Sequence, residues 1–435
     1  MNNKQIQQVN KSKKHWFVAI ICSSLAMTVV GLPINAGGVF FTPVAESLGV
    51  MQGAFSIHST LTLIGAAIIS LFVPRLIRKF NLKPVLTVGI LLASVTNILM
   101  GFAQSLPQFY ILGSLRGLGS GLIAIVPLTM IINEWFDKHH GLVTSVILSF
   151  TGIAGAVFSP IFSYLIGTIG WQMAYIIMGI SMLVGSIPAI IYPFSLNPRE
   201  DGLLPYGYNE KNEKSNKVGK NKVVTENISK SLLVYIVILA VLLTMITGLP
   251  QHFPGYAQTI NQSLSVGSMM LSAAMLGNIV FKVLFGILSD RLGPTKTTVL
   301  MIGINILSIV FLLTVSNVSN LVLVSFFFGT IYSLPAVGIT LMTKEFFGTR
   351  QFNKVYPIIS FSTAIGGAIS ISLIGYIYDF AGSYIPAFVI SLLFHVINLI
   401  LTYLATRQLA MKEEKIGSKE ALGNLKYSLN KETRI

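Results

Sequence analysis

Cysteine is nearly absent, and the single Cys22 allows neither an intrachain disulfide nor a cysteine-based metal site. Charge is scarce as well: Asp, Glu, Lys and Arg make up 10% of the 435 residues, against roughly 25% in soluble domains. Acids number 15 and none falls deep inside an apolar run; Glu46 and Asp379 stand near the ends of two runs, and the rest lie in polar segments. A proton-coupled exporter of cations uses a buried acid, so that class loses its support. His, Cys and Asp nowhere cluster at metal-ligand spacing, and no phosphate-binding glycine loop is present, which leaves no basis for a metal centre or an ATP-driven pump. No cofactor is expected. The ten-residue alternation of a membrane β-barrel is missing too.

Apolar residues dominate instead, at 53% of the chain with a mean hydropathy of +0.74. A hydrocarbon core of about 30 Å needs about 20 apolar residues per helix. Twelve runs meet that length: 16–42, 53–74, 84–104, 107–133, 141–167, 171–194, 231–253, 267–289, 297–316, 320–343, 355–378 and 385–406. The expected fold class is therefore an all-α membrane protein. Its net charge of +15 reports topology and not a nucleic-acid partner, because 28 of the 30 Lys and Arg lie in the two tails and in alternate loops. None lies in the intervening loops, so both termini are expected in the cytoplasm. The other two, Arg116 and Lys282, fall within spans 4 and 8. The first span is too long for a signal-peptide core and no small-residue cleavage site ends it, which reads as an uncleaved span.

The polar segment from Ser195 to Lys230 divides the spans six and six. The expected organisation is a first half over 1–194, a cytoplasmic linker over 195–230, a second half over 231–406 and a cytoplasmic tail over 407–435. The halves repeat. "GLPINAGG" at Gly31, near the end of span 1, returns as "GLPQHFPG" at Gly248, near the end of span 7. "VPRLIRKFNLKP" after span 2 aligns with "FGILSDRLGPTK" after span 8, with Phe80 opposite Leu292. Six spans per half keep both copies in one orientation, as in carriers whose halves rock around a midplane site.

The later loop, with Gly286, Asp290, Arg291, Gly293 and Lys296, resembles the signature Gly-x-x-x-Asp-Arg-x-Gly-x-x-Arg/Lys of the Major Facilitator Superfamily. Its glycines allow a tight turn, and an aspartate at a helix end can face the positive N-terminus of a neighbour. The resemblance implies the major facilitator fold of two six-helix repeats and a loop that latches the cytoplasmic gate. The first-half copy has Arg78 at the aspartate position and Asn81 at the glycine position, so the second half is expected to carry most of the latch. "RGLGSG", from Arg116 to Gly121, is similar to the superfamily's span 4 signature. Gly113, Gly117 and Gly121 make a small-residue ladder expected to pack closely on another helix, and Gly152, Gly155 and Pro160 of span 5 invite the same reading. "GYIYDFAGSY" from Gly375, "EWFDKHHG" from Glu134 and "NPREDGLLPYG" after span 6 resemble the oxalate/formate antiporter and monocarboxylate porter branch. Two departures stand out: span 11 lacks the lysine associated with oxalate recognition, and Lys282 stands where many relatives have arginine.

A charge at the bilayer centre costs at least about 2.5 to 3.5 kcal/mol on insertion scales, so it needs a cavity and a partner. Arg116 and Lys282 have no buried acid for this, and an anionic solute would supply one. Lys282, eight residues before Asp290, lies about 12 Å up the helix, beyond snorkelling reach, and Asn278 shares its face. Arg116 reads either as a ligand or as a holder of helix-end carbonyls. Gln251, His252 and Tyr256 around the breaks at Pro250 and Pro254, Asn35 after Pro33, and Tyr332 and Ser333 before Pro335 are further candidates, with packing or outer-loop roles as their alternatives. His58 and His395 are lone histidines, and the second is expected to be structural because span 12 is peripheral in the superfamily.

The expected function is secondary transport of a small organic anion, a monocarboxylate, by a monomer in the lipid bilayer, with no enzyme activity. A coupling proton or a counter-substrate stays open. The alternatives are an exporter of amphipathic or drug-like compounds, suggested by the aromatic-rich spans, and a non-transporting membrane sensor, for which the linker and tail are short and polar.

Overall fold

A computed structural model of the chain describes residues 13–137, 140–208 and 229–432. The apolar runs become helices because a backbone in hydrocarbon must satisfy its own hydrogen bonds. Among the described residues there is no sheet, and one isolated bridge joins Phe136 to Tyr206. Eleven helices are long and apolar enough to cross a membrane. One helical run, His140–Ile191, has 52 residues, about 78 Å at 1.5 Å per residue and more than twice a bilayer core. It turns back at Gly170 (φ 84°, ψ 160°) and so makes two crossings, which brings the number to twelve.

We number the crossings α1 (Lys13–Leu48), α2 (Gln52–Ser70), α3 (Leu82–Met100), α4 (Leu106–Trp135), α5 and α6 (His140–Ile191 before and after Gly170) and α7 (Lys230–Thr259). The rest are α8 (Leu264–Leu292), α9 (Pro294–Thr314), α10 (Val318–Gly348), α11 (Lys354–Ala381) and α12 (Ile385–Met411). Two hydrophobic cores form, one running from Val18 to Phe194 and one from Leu232 to Ala405; Leu271, Met275 and Ile371 of the second half join the first core. The bundle end with Lys13, Ile191 and Leu292 is called the terminus end, and the end with Gly49, Gly170 and Gly382 the far end.

Both copies of the repeated loop turn in the same way. Gly293 has φ 85° and ψ 155°, and its counterpart Asn81 has φ 67° and ψ 167°. This backbone suits glycine, so Asn81 is held there against its preference. The glycine ladder of α4 packs as its spacing requires: a Cβ on Gly113, Gly117 or Gly121 would run into the α2 backbone at His58, Thr62 or Ala66.

After α6 the chain folds back onto the first half. Tyr206 N–H donates to Trp135 O (2.8 Å), Asp137 N–H donates to Tyr206 O (3.0 Å), and Lys14 pairs with Asp201 at 3.2 Å. Residues 209–228 of the expected linker lie outside the described residues, as do Lys138 and His139 of "EWFDKHHG". Beyond Met411 the helix of α12 continues to Glu432.

Candidate substrate cavity and its gates

Four helices lose regular geometry partway along: α4 is interrupted between Gly121 and Ile125, and three others change where the halves meet. α1 is a π-helix over Ala26–Gly31 and a 3-10 helix over Gly37–Phe40, and α7 is a 3-10 helix over Leu249–His252. α10 changes twice, at Gly329–Tyr332 and Leu334–Gly338. Pro250 and Pro335 lie in these stretches, and Pro33 lies in the short α-helical piece Leu32–Asn35 between the two of α1; each removes a backbone donor. Between the halves lies a cavity of about 230 Å³. Ile34, Asn35 and Leu63 line it from the first half; Thr247, Gly248, Gln251, Tyr332 and the 363–371 stretch of α11 line it from the second. Of the two repeated breaks, Gly248 faces this cavity while Gly31 packs on Thr151 and Ala154 of α5.

The fold thus brings together Asn35, Gln251 and Tyr332, which are far apart in sequence. Asn35 Nδ2 donates to Thr151 O at 2.7 Å, and Gly38 N–H donates to Gln251 Oε1 at 3.0 Å. Tyr332 packs against both cores; its buried Oη has the Gln251 side chain as a polar neighbour without a well-formed hydrogen bond to it.

Other candidates are placed elsewhere. His252 bonds through Nε2 to Ile371 O (2.8 Å), and its Nδ1 lies 3.5 Å from Tyr384 Oη. Tyr256 donates to Leu312 O at 2.6 Å, a packing role. Arg116 is 2% exposed inside the first half, where its Nη atoms donate to Asn97 Oδ1 and Thr62 Oγ1, both at 3.1 Å; its Nε has no partner. A small void touches Arg116 and shares Ile34, Leu63 and Ile371 with the cavity wall.

Asn278 is buried where α8 meets Gly329 of α10, with Oδ1 unpaired. Lys282 is half-buried, with no hydrogen bond or ion pair among the described residues. Met275 of α8 lies beside Gly155, which also adjoins Asn35. Lys282, seven residues further along the same face, therefore sits about 10 Å toward the terminus end from that level. Of the lone histidines, His395 ties α12 to α9 through Asn305 Oδ1 at 2.8 Å, and His58 bonds Phe55 O within its own helix.

At the far end the halves are joined by hydrogen bonds that the sequence did not announce. The Asp379 carboxylate of α11 accepts from Gln52 N–H (3.0 Å) and Gly53 N–H (2.7 Å), the first amides of α2. Such amides have no partner inside their own helix and carry the positive end of its dipole. Tyr384 Oη donates to Gln52 Oε1 at 2.5 Å, and Gln52 Nε2 donates to Thr42 at 3.0 Å. Thr60 bonds Ser372 and donates to Ala368 O, at 2.7 and 2.6 Å. Gly53 and Gly375 let the two backbones touch, since a Cβ on Gly375 would lie 2.8 Å from Gly53 Cα. The available signal was an aspartate closing an apolar span and a glycine opening another.

At the terminus end Asp290, Arg291, Lys296 and Arg78 are exposed and form no ion pair among the described residues, and Gly286 has no neighbour where a side chain would be. The N-terminus of α9 is instead capped by Glu345 of α10, which accepts from Thr295 N–H (3.1 Å) and Thr295 Oγ1 (2.7 Å).

The family model described as Major Facilitator Superfamily matches residues 16–267 and 252–430, which together span nearly the whole chain. This chain belongs to the Major Facilitator Superfamily. It is 24% identical over 385 residues to Monocarboxylate transporter 13 of Rattus norvegicus, covering 86% of this chain and 85% of that one. It is 22% identical over 388 residues to the uncharacterized MFS-type transporter YcxA of Bacillus subtilis (strain 168), covering 87% and 92%. The fold is shared with a bacterial homolog of the human lysosomal transporter Spinster, solved in an inward-facing and occupied conformation, with a TM-score of 0.66 at 12% identity over 91% of this chain and 98% of that one. As a superfamily member with twelve crossings, this chain is a multi-pass membrane transporter.

Proposed function

We propose that this superfamily member carries a small organic anion, a monocarboxylate, across the membrane by alternating access. The observation that carries the reading is the cavity, largely apolar with a few polar groups, between two halves that among the described residues are hydrogen-bonded to each other at the far end and not at the terminus end. Supporting it are two membrane-embedded cations with no deep acid to neutralise them and a relative named as a monocarboxylate transporter. The Lys and Arg bias puts the terminus end in the cytoplasm, so the far-closed arrangement is open inward.

In this reading the halves, residues 1–194 and 231–406, rock as two bodies of a monomer joined by the 195–230 linker, with 407–435 as a cytoplasmic tail. Lys282, unpaired on the terminus side of the cavity, draws the anion in and is its main charged contact, with Asn278 next to it and Arg116 behind the cavity wall. Asp290, Arg291 and the turn of Gly286, Gly293 and Lys296 latch the terminus end in the opposite state. Coupling then uses a proton on His252, on His58 or on the substrate's own carboxylate, or simple exchange.

The test is uptake of radiolabelled acetate, pyruvate, lactate and butyrate into proteoliposomes. Lys282→Gln removes a charge-assisted interaction and is expected to lower apparent affinity about ten- to a hundredfold, while Lys282→Arg keeps part of it. Parental uptake by Lys282→Gln would sink the anion reading. Absence of carboxylate uptake together with efflux of lipophilic dyes would establish the exporter instead.

A further inference from the structure

Two side chains of the second-half wall keep donors free, while across the cavity Asn35, whose Nδ2 donates to Thr151 O, keeps its Oδ1 as an acceptor. Gly38 N–H can only donate, so Gln251 must turn its Oε1 toward it and keep Nε2, with two hydrogens, for the other side. Tyr332 adds a hydroxyl beside Gln251 without a well-formed hydrogen bond. The Thr247 and Thr363 hydroxyls already donate within their own helices, to Thr244 O and Ser360 O, both at 2.6 Å. Gln251 Nε2 and the Tyr332 hydroxyl are thus two adjacent uncharged donors in the second-half wall of the cavity, the hydroxyl covered in this state and within a side-chain rotation of it. A carboxylate oxygen satisfies both at once, and a buried donor without an acceptor is unfavourable.

Gln251 has a second property. Its Oε1 is bonded to a backbone amide of the opposite half, at a point where α1 and α7 lie so close that a Cβ on Gly38 would overlap the Gln251 main chain. An acceptor bound at Nε2 polarises the amide and strengthens the bond made by Oε1.

We propose that Gln251 and Tyr332 hold a carboxylate oxygen of the substrate, and that Gln251, bonded at its other end to Gly38, ties occupancy of the cavity to closure of the far end. The recognition part rests on the carrier reading above. Lys282, nearer the terminus end, attracts the anion, whereas the neutral pair fixes where its oxygen stops. A substrate held this way is released to the far side only when the Gly38 bond breaks.

The test uses the full chain in lipid nanodiscs, with acetate, pyruvate, lactate and butyrate as calorimetric probes. Spin labels at Ser105→Cys and Ser316→Cys, both on exposed far-end positions of opposite halves, report the far-end distance in a Cys22→Ser background. Gln251→Glu keeps an acceptor for Gly38 but loses the donors and repels a carboxylate. It is expected to bind the acids at least tenfold more weakly, with the unliganded far-end distance of the parent. Tyr332→Phe is expected to lose about tenfold with the same distance. Gln251→Met, similar in size with neither group, is expected to lose binding and to lengthen the far-end distance. If Gln251→Glu and Tyr332→Phe bind like a parent that itself binds, the recognition half is overturned and the carrier reading survives. A parental distance in Gln251→Met overturns the coupling half. A parent that binds none of the acids overturns the carrier reading and the recognition half with it, and the distance in Gln251→Met then decides the coupling alone.

Discussion

At the far end the two halves meet through directed bonds, Asp379 to the first amides of α2, Tyr384 to Gln52 and Thr60 to Ser372, whereas at the terminus end Asp290, Arg291 and Arg78 face outward with no ion pair among the described residues. The far end uses a carboxylate on helix amides and a Gly-on-Gly contact, interactions that need fixed positions within a few tenths of an ångström. The terminus end keeps its charges on exposed surface side chains, where each is worth little. A carrier needs one end held and the other free at any moment, and the difference says which end is held in this state. It also shows that a motif visible in sequence need not be engaged in the state the chain adopts.

The largest way to break the comparison is Gly53→Val. A side chain there would collide with the Tyr376 backbone and ring, and overpacking of this kind costs about 3 kcal/mol or more where backbone cannot yield. The spin-label distance between positions 105 and 316 should lengthen and transport should stop; parental transport would show that the far end does not close by this contact. Next comes Asp379→Ala, which leaves two helix amides without their acceptor. A shift of about 1.5 to 3 kcal/mol toward the far-open form is expected, with Asp379→Asn intermediate, again read from the label distances.

Smaller effects sharpen the picture at the terminus end. Asn81→Gly relieves a backbone with φ 67° and ψ 167° and should raise stability by about 1 kcal/mol, seen as a higher Tm. Gly293→Asn should do the reverse, because it puts the first-half residue into the equivalent turn. The smallest change is Asp290→Asn: with no ion pair to lose among the described residues, its stability should stay within about 0.5 kcal/mol of the parent's, seen as a nearly unchanged Tm. Its effect belongs to the other state, where loss of the latch should increase labelling of terminus-side cysteines. Unchanged labelling would remove Asp290 from the gate.

Much of the architecture was legible before any coordinates. Hydropathy alone marks twelve crossings, and the break between α5 and α6 at Gly170 falls in the gap between the fifth and sixth runs. The glycine ladder of α4, the exceptional Asn81 and the breaks near Gly31 and Gly248 were readable because each is a local steric rule written at fixed spacing. The grouping of Asn35, Gln251 and Tyr332 was readable only as three separate suspicions. Asp379 shows in the sequence as an acid near the end of a run, and its role at the α2 N-terminus is not legible there because its partners are backbone amides, which nearly every residue has.

The sequence by itself determined the solvent, the number of crossings, the two-fold repeat and the family, since these follow from chain-local hydrophobicity, spacing and turn chemistry. Only the tertiary structure decided which polar groups share the cavity, which end is held shut, and that Lys282 and Arg116 occupy different surroundings. Arg116 is held through its Nη atoms by neutral groups from α2 and α3 while Lys282 is left open toward the terminus end. The physical reason is that these outcomes depend on hydrogen bonds between separate helices, 19 residues apart in the chain for Arg116 and Asn97 and 326 apart for Gly53 and Asp379. No local pattern encodes the distance or angle of such a bond, and packing two six-helix bodies against each other fixes both.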